Sequence, residues 1–252
     1  MVNLQGDLSS LEEWARTWQM TFNPSKCQVL HLGRGNARNS YTISEVTIEA
    51  TDTVKDLGVI MTSTLSLEAN TRAKVAKANQ LLGIIRRSFH HLTEDTLVLL
   101  FKTMIRPHLE FCNTVTHPTT ERDMTLIEGV QRRATKMLAH LRDLPYEERL
   151  RRLKLPSMKY RFLRVDLIAL YKFTFKEAKP APRSIVKLDS NTRGHSQKIA
   201  KPRCRTSLKQ RSFPHRSVDA WNKLPDEVVT APSTDAFKAR LDRHLAEQLF
   251  QH

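Results

Sequence analysis

The sequence predicts an α+β fold that is mainly helical: a short N-terminal helix and a small antiparallel β meander, then a run of helices broken by a basic arm. Three observations carry this. Only 7 glycines stand against 41 lysines and arginines among 252 residues, and 40% of the residues are hydrophobic; scarce glycine favours helices over a loop-rich β fold. Short alternating runs are confined to the first quarter of the chain. From Leu67 onward the apolar residues recur at helical spacing. A chain of this length buries roughly 70% or more of its unfolded surface, enough for a real core.

Leu4, Leu8, Leu11, Ala15 and Trp18 mark one face of the first helix, with Asp7 available as a cap near its start. On that phase Trp18 is expected in the core. Asn23-Pro24-Ser25 is turn chemistry, because Pro fixes φ and Asn and Ser bond nearby backbone. A short, imperfectly alternating strand follows around Gln28–Leu32, broken by Gly33, Gly35 and Asn36. Tyr41–Ile43, Val46–Ile48 and Val54–Ile60 read as three further strands, and the set as an antiparallel meander.

Val75, Ala78, Leu82, Ile85 and Phe89 line one face of the next helix, while Arg72, Lys74, Lys77, Arg86 and Arg87 crowd the others. Thr93 caps a helix with apolar positions Leu97, Leu100, Phe101, Met104 and Ile105, which Pro107 should end or kink. Another helix carries Met124, Ile127, Val130, Ala134 and Met137, with Arg132, Arg133 and Lys136 on its polar side. Tyr146–Leu153 is a short helix, and Pro156-Ser157 opens a longer one through about Phe175. Residues 178–214 are rich in Arg, Lys, Ser and Pro with few large apolar groups. Such a segment buries too little surface to offset its ordering entropy, so a flexible arm is expected there, bearing Arg193, Lys198, Lys201, Arg203 and Arg205. Order returns with Val218, Trp221 and Leu224, where Trp221 should anchor a last helix beginning at Ser233. The domain reading is 1–62, 63–177, 178–214 and 215–252.

The formal net charge of +15 points to a polyanionic partner, since counterion release drives binding to phosphate backbones. RNA, DNA or their hybrid is the expected partner, bound without sequence preference. No helix pairs a broad aromatic face with a lysine-rich one, so no membrane partner is expected. Cys27, Cys112 and Cys204 are far apart and odd in number, which argues against a disulfide framework and for a reducing compartment. Cys112 and His117 have local spacing, but no second pair completes a zinc site. Met1 is not followed by an apolar signal region, and no apolar run approaches a spanning length of about 20 residues. An intracellular location, cytoplasmic or nuclear, is expected.

Six collinear stretches carry a family resemblance. "LSSLEEWARTWQMTFNPSKCQVLHLGR" resembles the segment after the catalytic aspartates in reverse transcriptases of LINE-type (non-LTR, jockey-like) retrotransposons. "VKDLGVIMTSTLSLEANTRAKVAKANQLLGIIRRSF" resembles the primer-grip hairpin and first thumb helix, and "LFKTMIRPHLEFCNTVTHP" the family's Arg-Pro-His-Leu-Glu-Tyr-Cys segment. "LIEGVQRRATKML", "LPYEERLRRLKLPSMKYRFLRVDLIALYKF" and "VDAWNKLPDEVVTAPSTDAFKARLDRHL" resemble its downstream helices.

The resemblance implies a palm remnant over 1–62, a thumb-like body over 63–177 and a basic C-terminal region. It implies that Lys26 matches the lysine near the leaving pyrophosphate, acting electrostatically or as an acid. Asp56, Leu57, Gly58 and Val59 match the primer grip; a glycine there permits close approach of another backbone, though an ordinary bulge is the other reading. Lys74, Lys77, Arg86 and Arg87 would face phosphates of a primer–template duplex, with Arg132, Arg133 and Lys136 as a second patch. The family's aromatic-x-Asp-Asp motif lies upstream of the first helix, and no Asp-Asp dipeptide occurs in this sequence. Nucleotidyl transfer needs two divalent ions held by carboxylates. The expectation is therefore a chain with no catalytic residues and no cofactor of its own, Mg2+ belonging to the complete polymerase, and nucleic-acid binding as its residual activity. The alternatives are a helical protein-interaction module and a decayed relic with no selected role.

Overall fold

A computed structural model describes residues 3–33, 35–175, 185, 194–201 and 203–250. It is α+β and mainly helical, and it divides into two compact units, Met1–Asn70 and Thr71–His252.

The first unit opens with α1 (Leu4–Thr17), capped by Asn3, whose side chain accepts from Gly6 N–H, and not by Asp7. Its inner face is Gln5, Leu8, Glu12 and Ala15, spaced at helical period. The Gln5 amide exchanges two hydrogen bonds with the Thr42 backbone, at 3.1 and 3.0 Å, and Glu12 accepts from the Ser44 N–H and hydroxyl. Polar groups thus dock this helix. The apolar stripe Leu4, Leu11, Trp14, Trp18 lies outside, with Trp18 65% exposed. Trp18 is not a core residue: its phase, shared with Leu4 and Leu11, falls away from the buried Ala15.

The strands are β1 (Gln28–Leu30), β2 (Thr42–Ile43), β3 (Val46–Thr47), β4 (Glu49–Thr51), β5 (Thr53–Asp56) and β6 (Val59–Thr62). They form three two-stranded sheets rather than one meander, and β1 pairs with β4 in parallel. The hairpin β2–β3 lies within the connection that a parallel pair requires. β5 and β6 are antiparallel, joined by Leu57-Gly58.

In the second unit the helical segments are α2 (Glu68–Ser88, entering it at Thr71), α3 (Glu94–Leu100), α4 (Arg106–Glu110), α5 (Asn113–Thr116) and α6 (Glu121–Thr135). α7 (Tyr146–Leu153), α8 (Met158–Thr174), α9 (Ser207–Arg211), α10 (Phe213–Asn222), α11 (Asp226–Val229) and α12 (Thr234–His244) follow. Thr93, Thr120, Ser157 and Ser233 each accept from an N–H of the first turn they precede. Between α3 and α4 the chain widens into a π turn, Phe101–Ile105, just before Pro107. Pro107 has no N–H, and its ring would crowd the preceding carbonyls; the wider turn lets the helix continue.

Two apolar cores result. One gathers α2, α3, α6, α7 and the start of α8 around Leu97, Phe101, Ile105 and Ile127. The other gathers α8, α10, α11 and α12 around Trp221, with Tyr171 stacked on Phe237 at 4.4 Å. Glu128 is buried and accepts from the Tyr146 hydroxyl and from Met158 N–H at 2.9 Å, holding a negative charge at the start of α8.

Residues 194–201 are not a free arm. Ile199 is fully buried, and its backbone N–H and C=O both bond the Asn222 side chain, at 3.0 and 2.9 Å. Trp221 Nε1 donates to the Gln197 carbonyl at 2.8 Å. A side-chain amide acts here as a neighbouring strand, which composition does not foretell. Arg193 and most of 178–193 lie outside the described residues.

Candidate nucleic-acid interface

The phase of α2 sorts its cations. Thr71, Lys74, Val75, Ala78, Leu82 and Ile85 fall on one stripe and are buried. Lys74 therefore points inward. Its ammonium donates to the Phe111 carbonyl and to Thr116 Oγ1, both at 2.6 Å. Burial lowers its pKa to about 8, against an opposing pull from Cys112. Lys74 ties α2 to the α4–α5 turn and is not a phosphate contact. The signal was in the sequence: Lys74 stands one helical turn before Ala78 on the core stripe.

Lys77, Arg86 and Arg87 are exposed. A Cβ at Gly83 would stand 3.6 Å from an Arg87 guanidinium nitrogen, so Arg87 folds back over Gly83, and Arg133 does the same over Gly129. Arg133 also donates from Nε to Asn79 Oδ1 at 3.1 Å, which brings α6 beside α2. Lys136, the C-cap of α6, is exposed. Arg132 is half-buried, its guanidinium 4.1 Å from the centre of the Tyr146 ring, so part of its charge is engaged in a cation–π contact.

The acids of these helices lie elsewhere. After Glu68, α2 has none; on α6, Glu121 and Asp123 sit in the first turn and Glu128 is buried. From Gly129 to Lys136 the exposed side of α6 carries only positive charge. Two adjacent helices thus present Arg86, Arg87, Arg133 and Lys136, with glycine between the arginines and backbone close to the surface; Lys77 stands half a turn round α2 from Arg86 and lies off this face.

The other sequence-derived positions are separate from this face. Lys26 is exposed at the end of a 3-10 turn, Pro24–Lys26, whose cap Asn23 accepts from Ser25 N–H at 3.1 Å. Leu57 and Gly58 have φ of +44° and +84°, the backbone of a two-residue hairpin turn of the type I′ class rather than a bulge. Leu57 is 89% exposed at that tip, while Val59 is buried. Lys201 is ion-paired with Asp219; Arg203 and Arg205 are exposed; Lys198 lies against Gly194. Sequence reasoning missed Asn79, Gly83 and Gly129, which the i−4 spacing of Gly83 to Arg87 and of Gly129 to Arg133 could have flagged.

His117 is mostly buried beside Asp166, at 3.5 Å, and edge-on to Phe162; burial and Arg216 hold it neutral, with a pKa lowered to about 3. Asp166 itself is engaged by Arg216 at 2.7 and 2.9 Å. Among the described residues no group of three or more His, Cys, Asp or Glu side chains is placed to hold a metal ion, and no helix is long and apolar enough to cross a membrane. Comparison with family models, curated proteins and solved structures gave no match.

Proposed function

We propose that this chain binds nucleic acid without sequence preference through the exposed face of α2 and α6, as the thumb-like part of a LINE-type reverse transcriptase would. The single observation that carries this reading is the paired helices bearing Arg86, Arg87, Arg133 and Lys136 with no exposed carboxylate on the same stretch. Guanidinium and ammonium groups on rigid helices bind phosphate oxygens and read no base edges. RNA, DNA or their hybrid supplies such phosphates. The family resemblance of the six sequence stretches supports the same reading, as does the net charge of +15. The absence of an Asp-Asp pair from the sequence supports a binding role rather than polymerase activity by this chain alone, the two-metal chemistry needing carboxylates it does not carry in that motif.

The test is equilibrium binding of RNA–DNA hybrids of several sequences by the intact chain and by Arg86→Gln/Arg87→Gln/Lys136→Gln. Similar affinity across sequences, and at least a tenfold loss in the triple variant at about 100 mM salt, is the expected result. Equal binding by the variant would reject this face. A second reading, a protein-interaction module, is favoured by the apolar stripe Leu4, Leu11, Trp14 and Trp18 exposed on α1. Salt-insensitive capture of a protein partner, lost in Trp14→Ser/Trp18→Ser, would favour it.

A further inference from the structure

Part of the expected arm builds a recess of its own, apart from the α2–α6 face. About 530 Å³ of open space is lined by Lys201, Arg203 and Cys204 on one side, and by Gln210 of α9 and His215, Arg216 and Asp219 of α10 on the other. Its centre of interest is His215. The residue is 95% buried, and its Nε2 has no hydrogen-bond partner among the described residues.

The tautomer follows from the neighbours. The Ser212 hydroxyl has one proton, given to the Lys209 carbonyl at 2.7 Å. With its proton so placed, Ser212 Oγ accepts from His215 Nδ1–H, 3.0 Å away. Nε2 is left with a lone pair and nothing to receive. A buried, unpaired acceptor is costly, and here it invites either a donor or a proton. The charges facing it say which. Lys201, Arg203, Arg216 and, from α9, Lys209 are cationic; Asp219, held by Lys201, is the carboxylate of the lining, and Arg216 is engaged by Asp166. Burial and the charges of Lys209 and Lys201 keep the imidazole below its ordinary range.

We propose that this recess binds a phosphate monoester, with Arg203 and Lys201 supplying charge and one proton, taken up from solvent, shared between His215 Nε2 and a phosphate oxygen. A monoester, whose second pKa is about 6, has a basic oxygen to share that proton. A strand-internal phosphodiester has no such second ionisation. The preferred nucleic-acid ligand is therefore a strand end bearing a terminal phosphate; a free phosphate ion shares the chemistry.

The experiment is calorimetric titration of the intact chain with three probes: a 5′-phosphorylated thymidine dinucleotide, the same dinucleotide with a 5′-hydroxyl, and inorganic phosphate. The dinucleotides are too short to span the helical face, so failure here and failure of that face are distinguishable. At pH 7.5, runs in two buffers of different ionisation enthalpy should show about one proton taken up per phosphorylated dinucleotide bound. Affinity should rise roughly 25- to 50-fold from pH 8 to pH 6, as uptake of one proton by a ligand whose second pKa is about 6 requires. Arg203→Gln, an exposed change, should weaken binding at least fivefold, and His215→Gln should remove the proton uptake; Arg86→Gln/Arg87→Gln/Lys136→Gln should change neither. Tighter binding of the phosphorylated dinucleotide than of inorganic phosphate assigns the recess to strand ends, and equal binding assigns it to the free anion. Equal affinity for the 5′-hydroxyl and 5′-phosphate dinucleotides, or full affinity in Arg203→Gln, would overturn the proposal.

Discussion

The two units of this chain solve the same problem with different means. Through Asn70, only Ala15, Ile43, Ile48 and Val59 are buried apolar residues among those described. The helix there is held by Gln5 and Glu12 reaching β2 and the turn after it, and Asn70 accepts from Ile60 N–H at 3.1 Å. Beyond Asn70, two full apolar cores set the helices, and buried polar groups such as Lys74, Glu128 and Asp166 tie connecting elements to them. Local hydrogen bonds can fix geometry, but burial supplies most of the favourable free energy of folding. The first unit is therefore the weaker one, and its tryptophans lie outside.

This contrast can be broken in order of effect. Trp221→Ala should cost about 3–5 kcal/mol in urea unfolding followed by far-ultraviolet circular dichroism, because it empties the centre of the second core. Lys74 gives a pH signature. Its pKa is lowered to about 8 from 10.5, so between those values the unfolded chain binds more protons than the folded one. Stability from this site must rise as pH climbs from about 8 to 10.5, and the cost of burying the charge is fully present below pH 8. Comparing the pH dependence of unfolding in the parent and Lys74→Met should isolate a difference of up to about 3 kcal/mol across that window. A flat difference would mean that the amine is solvated. Leu57→Asn should stabilise the first unit by roughly 0.5–1 kcal/mol, since Asn accepts positive φ in this turn far better than Leu; hydrogen exchange of the hairpin amides reads it. Trp18→Ser should shift stability by no more than about 0.5 kcal/mol. A larger loss would place the ring in a contact that its exposure denies.

Much of the second unit was legible in advance. Thr93, Ser157 and Ser233 declared their helices as caps, and Trp221 declared itself an anchor by standing in an apolar pattern after a polar stretch. The first unit was less legible. Its strands are two to four residues long, and such runs do not say which partner they take, so a parallel pair was read as antiparallel. The helix α1 misled because its apolar stripe faces outward while glutamine and glutamate make the tertiary bonds. The segment at 194–201 misled because one isoleucine and one asparagine, twenty-three residues apart, order a stretch that composition describes as free. For the candidate interface, charge alone names Lys74, Lys77, Arg86, Arg87, Arg132, Arg133 and Lys136 alike; helical phase turns Lys74 inward, and Arg132 lies over Tyr146.

The most direct test of the central claim is the salt dependence of hybrid binding. If the chain neutralises about five phosphates, up to four of them at the α2–α6 face, log K should fall with log salt at a slope near −4 to −5. In Arg86→Gln/Arg87→Gln/Lys136→Gln the slope should shrink by about 2 to 3, one for each lost cation. A slope near zero in the parent, or the same steep slope in both proteins, would contradict the account.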